Sequence, residues 1–207
     1  MNWRRLPVVI LFCLFFPALA QGVEADKTGI VKGTVTIGGR PTSDVVVSVE
    51  GLPEKLLKSQ RTEKPMSVIM DQRDKKFIPH VLAVRLGATV AFPNNDKTWH
   101  NIYSTSVPKK FDLGLYPPGK SRKLNFDKPG VVRIRCNVHP NMEAFIVVEG
   151  HPYFSAADRE GNYRVNSVPV GKYRLEIWHP DLGKKIVPFD LVRGGEVLDI
   201  NVDLKEK

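Results

Sequence analysis

Three side chains define the chemistry available to this sequence. Cys136, His139 and Met142 follow one another as Cys-x-x-His-x-x-Met. A thiolate, an imidazole and a thioether on one short turn can hold a metal ion together, and one more imidazole would complete a recognisable set. Two imidazole nitrogens, one thiolate sulfur and a weak axial thioether are the ligands of a blue-copper electron-transfer centre. Copper alternates between a soft monovalent and a harder divalent state, and mixed sulfur and nitrogen donors suit both. Zinc also accepts thiolate and imidazole, but a thioether serves it poorly, so the set favours copper. The needed second imidazole has a candidate upstream in His100, at the end of Phe92-Pro93-Asn94-Asn95-Asp96-Lys97-Thr98-Trp99-His100-Asn101.

These residues need a rigid scaffold, and the pattern around them is β. Val132, Ile134 and Cys136 alternate with Val131, Arg133 and Arg135. That period of two is a half-buried strand, which carries Cys136 inward at its end. Similar alternation marks strands over 31–37, 45–49, 82–86, 89–92, 121–126, 144–148, 173–177, 185–191 and 197–204. Gly38-Gly39, Pro117-Pro118-Gly119, Lys128-Pro129-Gly130 and the 158–162 segment are turns between them. No stretch has a helical period. Leu56 and Leu57 fit a single helical turn at most, and 53–65, with Pro53, Pro65 and many charges, reads as a linker. The expected class is all-β, with short strands at the even spacing of sandwiches and barrels.

The N-terminus reads differently. Arg4 and Arg5, the apolar run Leu6 to Phe16, and Ala18-Leu19-Ala20 form a secretory signal over residues 1–20. The run is short for a bilayer-spanning helix. Removing it, with its two arginines, takes the formal net charge from +9 to +7. It also removes Cys13 and leaves Cys136 as the sole cysteine. Exported proteins usually pair cysteines as disulfides, so a lone one beside His139 and Met142 reads as a ligand. The positive charge suits an acidic partner protein or anionic surface. An exported chain of this pattern is not expected to bind nucleic acid or to keep a membrane span.

The middle of the chain resembles the cupredoxins. The resemblance rests on Val84-x-x-Gly87-x-x-Val90-x-Phe92-x-Asn94-x-Asp96, on His100-Asn101, Phe111-Asp112, Pro118-Gly119 and Phe126-x-x-Pro129-Gly130, and on Val132-x-Ile134-x-Cys136 leading into the Cys-x-x-His-x-x-Met loop. The loop spacing is that of amicyanin and pseudoazurin. Val132 and Ile134 stand where relatives often carry tyrosines. The resemblance implies a Greek-key β-sandwich over 66–150 holding one type 1 copper. His100 and His139 would give the nitrogens, Cys136 the thiolate and Met142 the long axial sulfur. Asn101 matches the residue that ties the two ligand loops together in the family. His139 would be the electron exit, with Pro140 beside it and Leu113, Tyr116 and Pro117 near.

The flanks resemble carboxypeptidase regulatory-like, transthyretin-like (prealbumin-like) sandwiches. Asp158-x-x-Gly161-x-Tyr163-x-Val165 and Val168-Pro169-x-Gly171-x-Tyr173-x-Leu175 carry that likeness. The start such a domain needs is absent from 151–207 but present in 28–52, so the two pieces are expected to form one discontinuous sandwich with the copper unit inserted. Neither piece holds a catalytic constellation.

The implied function is a periplasmic or otherwise exported carrier of single electrons between redox partners such as a cytochrome or dehydrogenase. The alternative is a copper carrier or buffer, which methionine- and histidine-rich tails would favour; this chain has none. A multicopper oxidase or nitrite reductase needs further histidine clusters, and five histidines without a His-x-His pair argue against one. His80, His151 and His179 read as structural or loop residues, and Met70 as core. Lys109-Lys110 and Lys120-x-Arg122-Lys123 read as solvated faces that can also meet an acidic partner.

Overall fold

The computed structural model describes residues 27–59 and 67–205. The expected signal peptide, and residues 60–65 of the expected linker, lie outside the described residues. Strands dominate, and the fold is all-β. In chain order they are β1 (Thr28–Ile37), β2 (Arg40–Pro41), β3 (Val46–Glu50), β4 (Ser67–Ile69), β5 (Asp71–Arg73), β6 (Lys76–Ile78), β7 (Val81–Arg85), β8 (Thr89–Pro93), β9 (His100–Ser104), β10 (Phe111–Tyr116), β11 (Ser121–Asn125), β12 (Gly130–Arg135), β13 (Glu143–Glu149), β14 (Phe154–Ala156), β15 (Asn162–Pro169), β16 (Gly171–His179), β17 (Gly183–Leu191), β18 (Val197–Asp199) and β19 (Val202–Leu204). Among the described residues a helix, α1 (Glu54–Ser59), interrupts them. It stands where a linker was expected. The Pro53 carbonyl receives the N–H groups of Leu56 and Leu57, and Leu56 packs on a core, so apolar contact makes a helical turn that propensity alone did not announce.

Two sheets surround the candidate ligands. One has the order β10-β9-β12-β13-β7 and the other β11-β8-β4. Their inner faces meet in a core built around Phe92, Ile102, Tyr116, Val132, Ile134 and Ile146. A β5–β6 hairpin, which the alternation did not reveal, lies against β8 through the Gln72–Asn94 bridge.

The flanking strands pair with one another. β1 takes β15 on one side and β18 then β19 on the other, while β3 lies between β14 and β16. These sheets enclose a second core containing Val31, Val47, Val49, Val165, Leu175 and Leu191. The expected single strand over 197–204 is split. Ile200 donates to Lys32 O, and the Asn201 side chain replaces a ladder partner by accepting the Thr34 N–H at 2.8 Å. Gly33 permits this crossing, because a Cβ there would collide with the Ile200 carbonyl. The two cores are joined by a third cluster of Val46, Val81, Val147 and Trp178, with Phe145 edge-on to Trp178. This contact explains why β3 is buried on both faces instead of alternating.

Candidate metal centre

The strands deliver the ligands to one end of the first pair of sheets. β12 buries Val132 and Ile134 and exposes Arg133 and Arg135, so the next residue, Cys136, turns inward and is 3% exposed. β12 and β13 pair antiparallel up to Arg135 and Glu143, and the loop between them holds Cys136, His139 and Met142. That loop is closed internally: Cys136 N–H donates to Met142 O at 3.1 Å, and Met142 N–H to His139 O at 2.9 Å. Met142 is buried in the same core as Cys136. His100 is the first residue of β9, the neighbour of β12, and is fully buried. The strand begins at His100 itself, opposite Tyr116 of β10.

Three donor atoms converge. Cys136 Sγ lies 3.8 Å from His100 Nδ1 and 3.9 Å from His139 Nδ1, and the two Nδ1 atoms are 3.1 Å apart. Among the described residues, His100, Cys136 and His139 form the group of histidine, cysteine and carboxylate donors close enough to share an ion, all within 4.8 Å. Bonds of about 2.0–2.1 Å to imidazole and about 2.3 Å to thiolate span up to roughly twice those lengths. Every observed spacing falls inside that reach, so one ion can touch all three. The donor types, two imidazoles and a thiolate in a buried pocket, fit copper.

The surroundings hold the ligands in place. The Asn101 side chain donates to Asp112 Oδ1 at 2.6 Å and accepts the Asn137 N–H at 3.4 Å, so it links the His100 strand to the Cys136 loop. His100 Nε2 meets Asp96 Oδ2 at 2.9 Å. Burial works against the Asp96 charge, but the Lys75 N–H, the His100 ring and the Lys97 N–H outweigh it and hold the carboxyl at about 2. Burial, then the charges of His100 and Lys75, keep the His139 ring neutral to lower pH than an ordinary histidine. Gln72, invisible as a site residue in the sequence, is fully buried and donates to Pro93 O at 3.1 Å and Tyr116 Oη at 2.5 Å. Its only signal was a polar residue on an otherwise unremarkable stretch.

Exposed apolar residues adjoin the candidate ligands in sequence and strand register. His139 is partly exposed and Pro140 exposed. Trp99 and Val138, the chain neighbours of His100 and His139, are 51% and 47% exposed, and Leu115, opposite Asn101, is 51% exposed. Tyr116, expected in this patch, is fully buried and donates its hydroxyl to Phe92 O. The other histidines lie elsewhere. His80 pairs with Asp44 at 2.8 Å across the contact between the two cores. His151 and His179 are buried; His151 Nδ1 accepts the Tyr153 N–H, and His179 Nδ1 accepts those of Asp181 and Leu182. His179 ends β16, where a loop was expected.

Comparison with known proteins finds only partial matches. No family model matches the sequence, and no curated protein matches it. Solved structures do. A purple cupredoxin from Nitrosopumilus maritimus is 24% identical over 41% of this chain and 99% of its own, with a TM-score of 0.36. A reduced amicyanin variant is 24% identical over 40% of this chain and 82% of its own, with a TM-score of 0.38. A copper-containing nitrite reductase from Thermus scotoductus SA-01 is 28% identical over 42% of this chain, TM-score 0.39, and the match spans 23% of that longer protein.

Proposed function

We propose that the chain is a type 1 copper protein that carries single electrons between redox partners. His100, Cys136, His139 and Met142 hold one copper ion, and the observation that carries this reading is the triangle of Sγ and two Nδ1 atoms at 3.8, 3.9 and 3.1 Å. When bound, copper supplies a one-electron change between its divalent and monovalent states. The protein keeps the donors in one arrangement through both states. The strand pairing of β9 and β12, the Asn101 bridge and the closed 136–142 loop all resist rearrangement. His139, partly exposed between Val138 and Pro140, offers the route to a partner, and the net positive charge favours an acidic one.

The pairing of β1 with β15, and of β3 with β14 and β16, supports reading 28–52 and 151–207 as one discontinuous, transthyretin-like unit carrying the copper unit of 66–150 as an insertion. Insertion is tolerated where the chain ends lie close together. The basic, apolar start of the chain supports export to a periplasm or beyond; no helix among the described residues is long and apolar enough to cross a membrane.

The visible spectrum of the copper-loaded protein tests the function. An intense thiolate-to-copper band that disappears on reduction and is abolished by Cys136→Ser is expected. A colourless wild type, or a serine variant that keeps the band, refutes the ligand assignment.

A further inference from the structure

We propose that Asp96 is a positioning residue for the metal centre: its carboxylate fixes the His100 ring from behind and favours the divalent ion, lowering the reduction potential. This rests on the ligand reading above. A neutral imidazole carries one N–H, so a ligating His100 Nδ1 requires the proton on Nε2. Nε2 meets one acceptor, Asp96 Oδ2, at 2.9 Å, and the two side chains are 0% and 9% exposed.

The carboxylate is itself held still. Oδ2 also accepts the Lys75 N–H at 2.7 Å, and Oδ1 accepts the Lys97 N–H at 2.6 Å. The Asp96 N–H donates to Asn94 Oδ1 at 3.1 Å, and the fully buried Asn94 amide reaches Thr98 O at 3.0 Å and Tyr116 O at 3.2 Å. The Lys75 donor comes from the β5–β6 turn, whose central residues Asp74 and Lys75 have φ of 51° and 55°. Non-glycine residues adopt that left-handed region sparingly. The turn thus presents a backbone N–H to a carboxylate that a metal-binding histidine uses. Neither oxygen is free to turn toward solvent.

A fixed negative charge one imidazole away stabilises a doubly charged ion more than a singly charged one. It also makes the ring a stronger donor. On reduction one electron enters from the donor, and no bond or proton has to change place among these residues. A carboxylate that only held the fold would leave the potential alone.

The test is Asp96→Asn in the full chain, which keeps the shape and removes the charge. The blue band should persist. The affinity for Cu(II) should fall at least tenfold more than that for Cu(I), which for a one-electron couple is a rise in potential of about 59 mV or more. A blue variant with the wild-type potential overturns the proposal and leaves the copper assignment intact; a wild type with no blue band defeats that assignment instead. If the variant does not fold, the Cu(I)-loaded wild type decides by proton NMR. The His100 Nε2–H should be shifted downfield and exchange slowly with water, and exchange as fast as that of His139 overturns the proposal.

Discussion

Replacing Glu149 by glutamine should stabilise the protein, and only above mildly acid pH. Glu149 ends β13 at the contact between the two cores. Its carboxylate accepts the Ser48 hydroxyl of β3 at 3.0 Å and lies 3.9 Å from His151 Nε2. It shares a cleft of about 270 Å³ with Glu50, Glu176, Lys184 and Trp178. Burial first, then the like charges of Glu50 and Glu176, push its pKa up to about 7, against the ordinary 4.5. The folded protein therefore binds this proton more tightly than the unfolded chain does. Below pH 4.5 both states carry it and nothing is lost; stability falls as pH rises from there to about 7 and then stays down. At about 1.4 kcal/mol per pH unit, the full cost is about 3 kcal/mol. Glutamine keeps an acceptor for Ser48 and removes the charge. Urea unfolding of the copper-free pair should show the variant ahead by about 3 kcal/mol at pH 8 and by under about 1 kcal/mol at pH 5. A gap that does not change with pH, or a variant weaker at pH 8, refutes the reasoning.

Met142→Leu should keep the blue band while shifting the potential, as expected of the weak axial thioether proposed for Met142; loss of colour would give Met142 a larger role. Copper should be released as pH falls, because histidine and thiolate must shed protons to bind. The depressed pKa of His139 keeps its ring neutral below 6.5, so its contribution to release should begin under that value in a pH titration of the band. Trp178→Ala should cost about 3–5 kcal/mol in denaturant titration, because this residue packs the contact between the cores. Gly33→Ala should destabilise the protein in the same assay, since the new Cβ meets the Ile200 backbone.

Much of the strand framework was legible because burial on one face writes itself as alternation. The runs at 131–135, 144–148 and 173–177 became β12, β13 and β16 almost at the expected bounds. What escaped has a common cause. β5 and β6 are three residues each, too short for a period, and their turn uses Asp74 and Lys75 where glycine or asparagine would have signalled it. β9 buries His100, Asn101, Ile102 and Ser104, so three consecutive buried residues erase the alternation. α1 forms through Leu56 meeting a core assembled from distant strands. Of the candidate ligands, the spacing of Cys136, His139 and Met142 was visible in the sequence, and the structure brings Cys136 and His139 together with His100. Gln72 and Asp96 did not stand out as supports, because a buried glutamine and a carboxylate behind a ring look like ordinary polar residues until their partners appear.

The sequence by itself determined which atoms can bind copper, since donor type is a property of the side chain, and it placed three of them on one short turn. It also determined the all-β class, because period-two burial survives in any packing of the strands. Only the tertiary structure decided that the His100 and His139 Nδ1 atoms stand 3.1 Å apart across a gap of thirty-nine residues. It alone set Asp96 behind His100 and Glu149 among other carboxylates. These are long-range juxtapositions, fixed by sheet register and by the packing of one core on another, and no local pattern of residues encodes them.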